Sequence, residues 1–319
     1  MTKYIIKRIL LMLPILLGVS FIVFSIMSFT PGDPASAILG TSATKEQIDK
    51  LNEELGMNDP FLVRYVRYLG NALKGDFGTS YRTGSPVFDE IFSRFGITFR
   101  IGLFAIILSV IIGVPIGVIS AVKQYSAIDF ISSILAMFFA AVPQFWLAMM
   151  FTMIFALNLG WLPSTFTGTV TPLHYIMPVV TLAMATAASI VRLTRSNMLE
   201  TIRQDYVRTA RAKGAPERTV VYKHALRNAL LPVVTVIGNQ FGYLMGGTVL
   251  VESIFGIPGL GSLTILSIRS KDIPQTTACI LFLAFLNVII VLAVDILYAY
   301  IDPRIKAKYM GGAKKNAKA

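Results

Sequence analysis

Asp205-Tyr206-Val207-Arg208-Thr209-Ala210-Arg211-Ala212-Lys213-Gly214-Ala215-Pro216-Glu217-Arg218 is a basic, alanine-rich stretch between two long apolar runs. Alanine, arginine and lysine favour helix up to Lys213. Gly214 suits the C′ position, where the backbone turns left-handed. Pro216 can then occupy the first turn of a second helix, running through Arg218 to Arg227. The stretch therefore predicts helix, glycine turn, helix at a membrane surface. Small side chains at Ala210, Ala212, Gly214 and Ala215 let another protein approach the backbone. By spacing alone, a basic surface helix on anionic lipid is the better fit.

Outward from this stretch, apolar runs of transmembrane length recur. The chain has 319 residues, 55% hydrophobic and only 14% charged, with a mean hydropathy of +0.67. Soluble domains carry about 25% charged residues, so this chain lacks the charge to cover a water-facing surface. We read about six spans, each able to cross a hydrocarbon core of ~30 Å: 9–29, 99–122, 130–157, 176–193, 230–255 and 279–301. The fold class is thus all-α, a polytopic membrane protein. The fourth span is the shortest and richest in Ala and Thr, which makes it the least suited to face lipid.

The net charge of +12 does not point to nucleic acid, because the basic residues gather in short loops and at the termini. Lys3, Lys7 and Arg8 precede the first span. Arg203, Arg208, Arg211, Lys213, Arg218, Lys223 and Arg227 follow the fourth. Arg304, Lys306, Lys308, Lys314, Lys315 and Lys318 form the tail. With six spans all three groups share one side, the cytoplasm, and both termini are expected there. Arg192 and Arg195 can snorkel to the same interface.

Residues 30–98 fall outside. Thr44 and Gln47 form a capping-box pattern ahead of Ile48, Leu51 and Leu55, with Gly56 closing the helix. Pro60 can open another, with Leu62, Tyr65, Val66, Leu69 and Leu73 as an apolar stripe. A small helical extracytoplasmic segment is expected. Lys3, Lys7 and Arg8, an apolar run and Ala35-Ser36-Ala37 also fit a signal peptide, but the run exceeds the usual 7–15 residues of one.

Catalytic signals are missing. There is no G-x-x-x-x-G-K-[ST] phosphate loop and no H-E-x-x-H; His174 and His224 lie on opposite sides of the expected topology, His174 in a loop. Cys279 stands alone and cannot form an internal disulfide. Gly238, Gly242 and Gly246 repeat G-x-x-x-G along one helix face, which permits close helix packing within the chain, against a partner, or along a pathway. Ala183 and Ala187 read similarly. Gly113, Pro115 and Gly117 predict a kink in the second span, and Pro143 with Gln144 and Trp146 another in the third. Asp295 lies at membrane depth, where Arg192 or Arg195 is its expected partner. Glu252 either faces a pathway or caps the loop after it, and the Gly- and Pro-rich loop 256–274 is expected outside.

The stretch 206–214, followed by Arg227-Asn228-Ala229-Leu230-Leu231-Pro232, resembles the coupling loop of bacterial ABC importer permeases of the oligopeptide/dipeptide/nickel branch. Matching motifs run the length of the chain: Pro31-Gly32-Asp33-Pro34, Leu55-Gly56 to Pro60 with Arg64-Tyr65, Gly75-Asp76-Phe77-Gly78-Thr79-Ser80, Glu252-Ser253-Ile254-Phe255-Gly256-Ile257-Pro258-Gly259-Leu260-Gly261, and Asp302-Pro303-Arg304. The long first outer segment resembles that of the permease conventionally placed first of a pair.

The resemblance implies an importer of peptides into the cytoplasm, set in the bacterial cytoplasmic membrane. It implies partners: a second homologous permease, two cytoplasmic ATPase subunits and an extracytoplasmic substrate-binding protein. It also implies no enzymatic role and no cofactor in this chain, ATP and Mg being bound by the partners. Tyr206, Arg208, Thr209, Ala210, Arg211, Ala212, Lys213, Gly214 and Ala215 would form the coupling loop (about 200–228), docked on an ATPase. Where the family has Glu-Ala-Ala, this chain has Arg208, Thr209 and Ala210, so no carboxylate is available to dock there. The implied layout is a first span (1–29), an outer segment (30–98), a permease core (99–301) and a basic tail (302–319). The same scaffold importing nickel chelates or short glycans, or a stand-alone secondary transporter, are the alternatives; the latter would call for a repeat with mid-membrane charges, and neither is visible.

Overall fold

A computed structural model describes residues 2–30, 34–40, 43–166, 168 and 171–301. The Pro31-Gly32-Asp33 part of one motif, the Asp302-Pro303-Arg304 motif and the basic tail lie outside the described residues. The described chain is helical: α1 (Thr2–Phe29), α2 (Pro34–Leu39), α3 (Lys45–Glu54), α4 (Phe61–Ala72), α5 (Val87–Val122), α6 (Ala127–Ala141) and α7 (Gln144–Phe151), which continues as a π-helix over Thr152–Asn158. Then follow α8 (Leu173–Ile202), α9 (Asp205–Ala212), α10 (Glu217–Thr219), a second π segment (Val220–Ala225), α11 (Leu226–Ile254), α12 (Leu260–Arg269) and α13 (Ile273–Ile301).

Five helices are long and apolar enough to cross a membrane, or six if the bent pair α6–α7 is one span. α5 starts at Val87, well ahead of the expected Phe99, so the 98/99 boundary falls inside a helix. The third expected span is broken rather than kinked: α6 and its continuation meet at 101°. Pro143, as N-cap of α7, has no N–H to carry the helix through, and Val142 is extended. His174 sits in the first turn of α8, not in a loop.

α8 is the central helix. Of its most apolar window 61% is buried, against 6% for α13, in keeping with a span poorly suited to lipid. It lies along α5, and the α5 glycines explain how. A methyl on Gly113 would meet Ile190 at 2.7 Å and the Ala187 carbonyl at 3.1 Å; one on Gly117 would meet the Val191 carbonyl at 2.8 Å. α5 runs unbroken through Gly113-Pro115-Gly117, and its two glycines serve close approach to α8. Ser109 Oγ seals the contact by donating to the Ala183 carbonyl at 3.1 Å.

Three clusters stack along the bundle. Ile101, Ala105, Leu182, Leu244 and Val251 fill its middle. Val118, Ala121, Met198, Val207, Val220 and Val221 close the end carrying α9, called here the near end. Val87, Ile91, Leu260, Leu263 and Cys279 close the far end.

Outside the bundle, α3 opens on the expected capping box: Thr44 N–H donates to Gln47 Oε1 at 2.9 Å and Gln47 N–H to Thr44 Oγ1 at 3.4 Å. On α4 the packed face differs from the apolar stripe. Phe61, Tyr65 and Tyr68 meet Phe21, Phe24 and Phe29 of α1, while Leu62, Val66 and Leu73 are exposed. Ring-on-ring contact with α1 overrides the aliphatic pattern. At the far end Asp272 is buried and accepts from Ser80 Oγ at 2.5 Å and from Arg82 N–H at 3.2 Å, tying the loop before α5 to α13. Burial, with Asp272 nearby, pushes the Tyr81 hydroxyl up to about 12.

Candidate functional site

The near end carries a lever. α9 closes in a Schellman turn: Gly214 N–H donates to the Arg211 carbonyl at 2.9 Å, and Ala215 N–H to the Ala210 carbonyl at 3.2 Å. Gly214 has φ +77, and open space surrounds the place of a Cβ. Its requirement is therefore conformational, not steric. After Pro216 the expected second helix begins at Glu217, and it does not stop at Arg227: α10, the π segment and α11 run on as one continuous 38-residue span.

Val207 anchors the lever. It is fully buried among Val118 and Ala121 of α5, Met198 of α8, and Val220 and Val221 of the π segment. Asn228 Nδ2 donates to the Tyr206 hydroxyl at 3.0 Å. Across the turn Arg211 grips Glu217 with both ends of its guanidinium, Nη2 to Oε1 at 2.7 Å and Nε to Oε2 at 3.1 Å. That grip holds the Arg211 pKa above its usual value. Both partners are well exposed, so the pair orients more than it stabilises, contributing about 0.5 kcal/mol. Arg208, Thr209, Ala212, Lys213 and Gly214 are exposed, with Ala210 and Ala215 half-buried beneath them. The lever presents small and cationic groups outward and its apolar residue inward.

A polar wall occupies the middle of the bundle. The α6–α7 break brings Gln144 against α8 and α11, where a concavity of about 410 Å³ is lined by Gln144, Thr186, Ser189, Arg192, Gln240 and Tyr243, among others. On α8 the polar residues recur at every third position; on α11 Gln240 and Tyr243 keep the same spacing, so each helix turns one narrow polar stripe to the cavity. Tyr243 and Leu250 are 66% and 54% exposed, which leaves this wall open to a partner or to water.

The glycines of α11 divide. Methyls on Gly238 and Gly242 would meet Val294 at 2.2 Å and Asn287 at 3.3 Å, and Asn287 Nδ2 donates to the Gly242 carbonyl at 3.0 Å. Both therefore pack against α13 within the chain. Gly246 has open space, whereas its neighbour Gly247 faces Gln144 Oε1 at 3.4 Å. The G-x-x-x-G spacing missed Gly247 and Gln240. A polar residue recurring at helical spacing inside an apolar span was the signal that could have found Gln240.

Glu252 is not among the residues that line the wall. Its carboxyl group is fully buried and caps α12, accepting from Gly261 N–H at 2.7 Å and Ser262 N–H at 3.1 Å. Thr98 Oγ1 donates to its other oxygen at 2.7 Å and accepts from Leu260 N–H at 2.8 Å. The first amides of α12 are thereby satisfied inside an apolar environment. Arg195 is paired too, but with Asp129 rather than with the expected Asp295. Among the described residues, no group of three His, Cys, Asp or Glu is placed to hold a metal.

Comparison with known proteins agrees with this arrangement. Residues 113–307 match the family described as binding-protein-dependent transport system inner membrane component, and residues 1–102 match its N-terminal counterpart. The chain belongs to this family: it is an inner-membrane component of a binding-protein-dependent transport system. The dipeptide transport system permease protein DppB of Alkalihalophilus pseudofirmus is 42% identical over 332 residues, 96% of this chain and 100% of the relative. The oligopeptide transport system permease protein AppB of Bacillus subtilis is 42% identical over 318 residues, with the same coverage. The glutathione transport system permease protein GsiC of Escherichia coli is 42% identical over 308 residues, 97% of this chain and 100% of the relative. Among solved structures, the inward-facing MetNI methionine ABC transporter aligns with a TM-score of 0.56 at 20% identity, covering 66% of this chain and 96% of that one. An amino acid ABC transporter aligns at 0.52 and 14%, covering 68% and 94%. These likenesses establish the shared fold.

Proposed function

We propose that the chain is one of two permease subunits of an ATP-driven importer that carries short peptides across the cytoplasmic membrane. The peptide class is supported by the relatives, which carry dipeptides, oligopeptides and the tripeptide glutathione. Both termini are cytoplasmic in this reading, so the near end faces the cytoplasm. There α9 docks on an ATPase subunit, one of two that bind ATP and Mg on behalf of the assembly, this chain holding no cofactor. A binding protein delivers peptide at the far end, and a second, homologous permease completes the pathway opposite the polar wall.

One observation carries the reading. Val207 is buried against α5, α8 and the segment that becomes α11, and α8 and α11 are also helices of the polar wall. Interiors are close-packed and transmit displacement, so motion imposed on α9 moves the wall.

The test is purification of the tagged chain in mild detergent, then reconstitution with its binding protein. Recovery of a second permease and phosphate-loop ATPases, with peptide uptake that needs ATP, is the expected result. Recovery alone, with uptake driven by an ion gradient, would overturn it in favour of a secondary transporter.

A further inference from the structure

The polar wall has a chemistry of its own. Thr186 and Ser189 turn their hydroxyl protons back onto their own helix, to the Leu182 and Ala185 carbonyls at 3.1 and 3.3 Å. They face the cavity as acceptors only. Gln144 and Gln240 bring amide donors and acceptors, matching a peptide backbone and indifferent to its side chains. Arg192 is the cation of the wall. It is exposed, and no carboxylate among the described residues pairs with it, in contrast to Arg195, which Asp129 holds. A guanidinium at the end of an apolar span, facing an open cavity, has an anion or water as its partner, and such residues mark substrate paths.

We propose that Arg192 is a specificity residue that receives the C-terminal carboxylate of the passing peptide, while Gln144 and Gln240 bond the adjoining backbone amides. The proposal rests on the peptide-importer reading and deepens it. A peptide's side chains vary, but its terminal carboxylate does not, so one fixed fork can serve every cargo. The open cavity keeps the contact hydrated and weak, as passage requires: a station must be left as readily as it is entered.

The test uses the reconstituted importer with its binding protein, supplied with trialanine or trialanine amide at saturation of the binding protein. Arg192→Gln should lower trialanine uptake about tenfold and amide uptake less than twofold, with subunit recovery unchanged. Equal loss for both peptides, as expected if Arg192 holds the partner permease or a lipid phosphate, would overturn the proposal; so would no loss for either. A second readout needs no turnover. Ser189→Cys, one helical turn away, should react with a thiol reagent more slowly in the presence of trialanine than of its amide, and Arg192→Gln should abolish the difference. Failure of wild-type assembly to import either peptide would instead overturn the importer reading itself.

Discussion

Thr98 and Glu252, 154 residues apart, are joined by a 2.7 Å hydrogen bond that fastens α5 to α11 and completes the cap of α12. Both carboxyl oxygens of Glu252 are engaged as acceptors, one by Thr98 and one by the Gly261 and Ser262 amides.

Glu252→Leu should therefore destabilise the chain, because it leaves the buried Gly261 and Ser262 amides without an acceptor. The expected cost is about 2 kcal/mol, the penalty of a buried unsatisfied donor. Thermal unfolding of the purified assembly reads it. An unchanged midpoint would mean that water, not Glu252, serves α12.

Asp129 is a second buried carboxylate with every oxygen used. Arg195 donates from Nε at 2.6 Å and Nη2 at 2.8 Å, Tyr125 N–H donates at 3.0 Å, and Ser120 Oγ also bonds it. Asp129→Ala should cost about 3 kcal/mol, since it strands the guanidinium. Replacing both Asp129 and Arg195 by leucine should restore most of that loss. A double variant no better than the single one would show that the pair contributes more than mutual neutralisation.

At Gly214 conformation and docking can be separated. Gly214→Ala meets open space and costs only the left-handed backbone, about 1 kcal/mol, so uptake should persist. Gly214→Glu adds length and negative charge to the exposed face of the lever. Subunits should still assemble and hydrolyse ATP, but uptake should fall to background. Normal uptake by Gly214→Glu would remove the lever from the mechanism.

The α11 glycines should rank by what they touch. Gly238→Ala drives a methyl into the stiff Val294 side chain and should cost about 1–3 kcal/mol, with rescue by Val294→Ala. Gly246→Ala meets nothing and should fall within about 0.5 kcal/mol of wild type. Stability of the single and double variants decides it.

The sequence by itself determined what local chemistry can determine. Apolar runs and scarce charge set the spans. Thr44 with Gln47 set one helix start, and Gly214 with Pro216 set the turn of the lever. Those readings hold because capping, left-handed glycine and proline act within a few residues of chain. Only the tertiary structure decided which way the spans face. A helix in lipid is apolar all round, so its sequence pattern does not say which side meets protein. That is why the close approach of Gly113 and Gly117 to α8 is not legible in the sequence, why Gly246 is indistinguishable from Gly238, and why Arg195 is matched to Asp295 until Asp129 is seen beside it. The polar wall is the strongest case: Gln144, Arg192 and Gln240 lie on three different helices, and they form one surface only because α6 breaks at Pro143 and folds Gln144 inward.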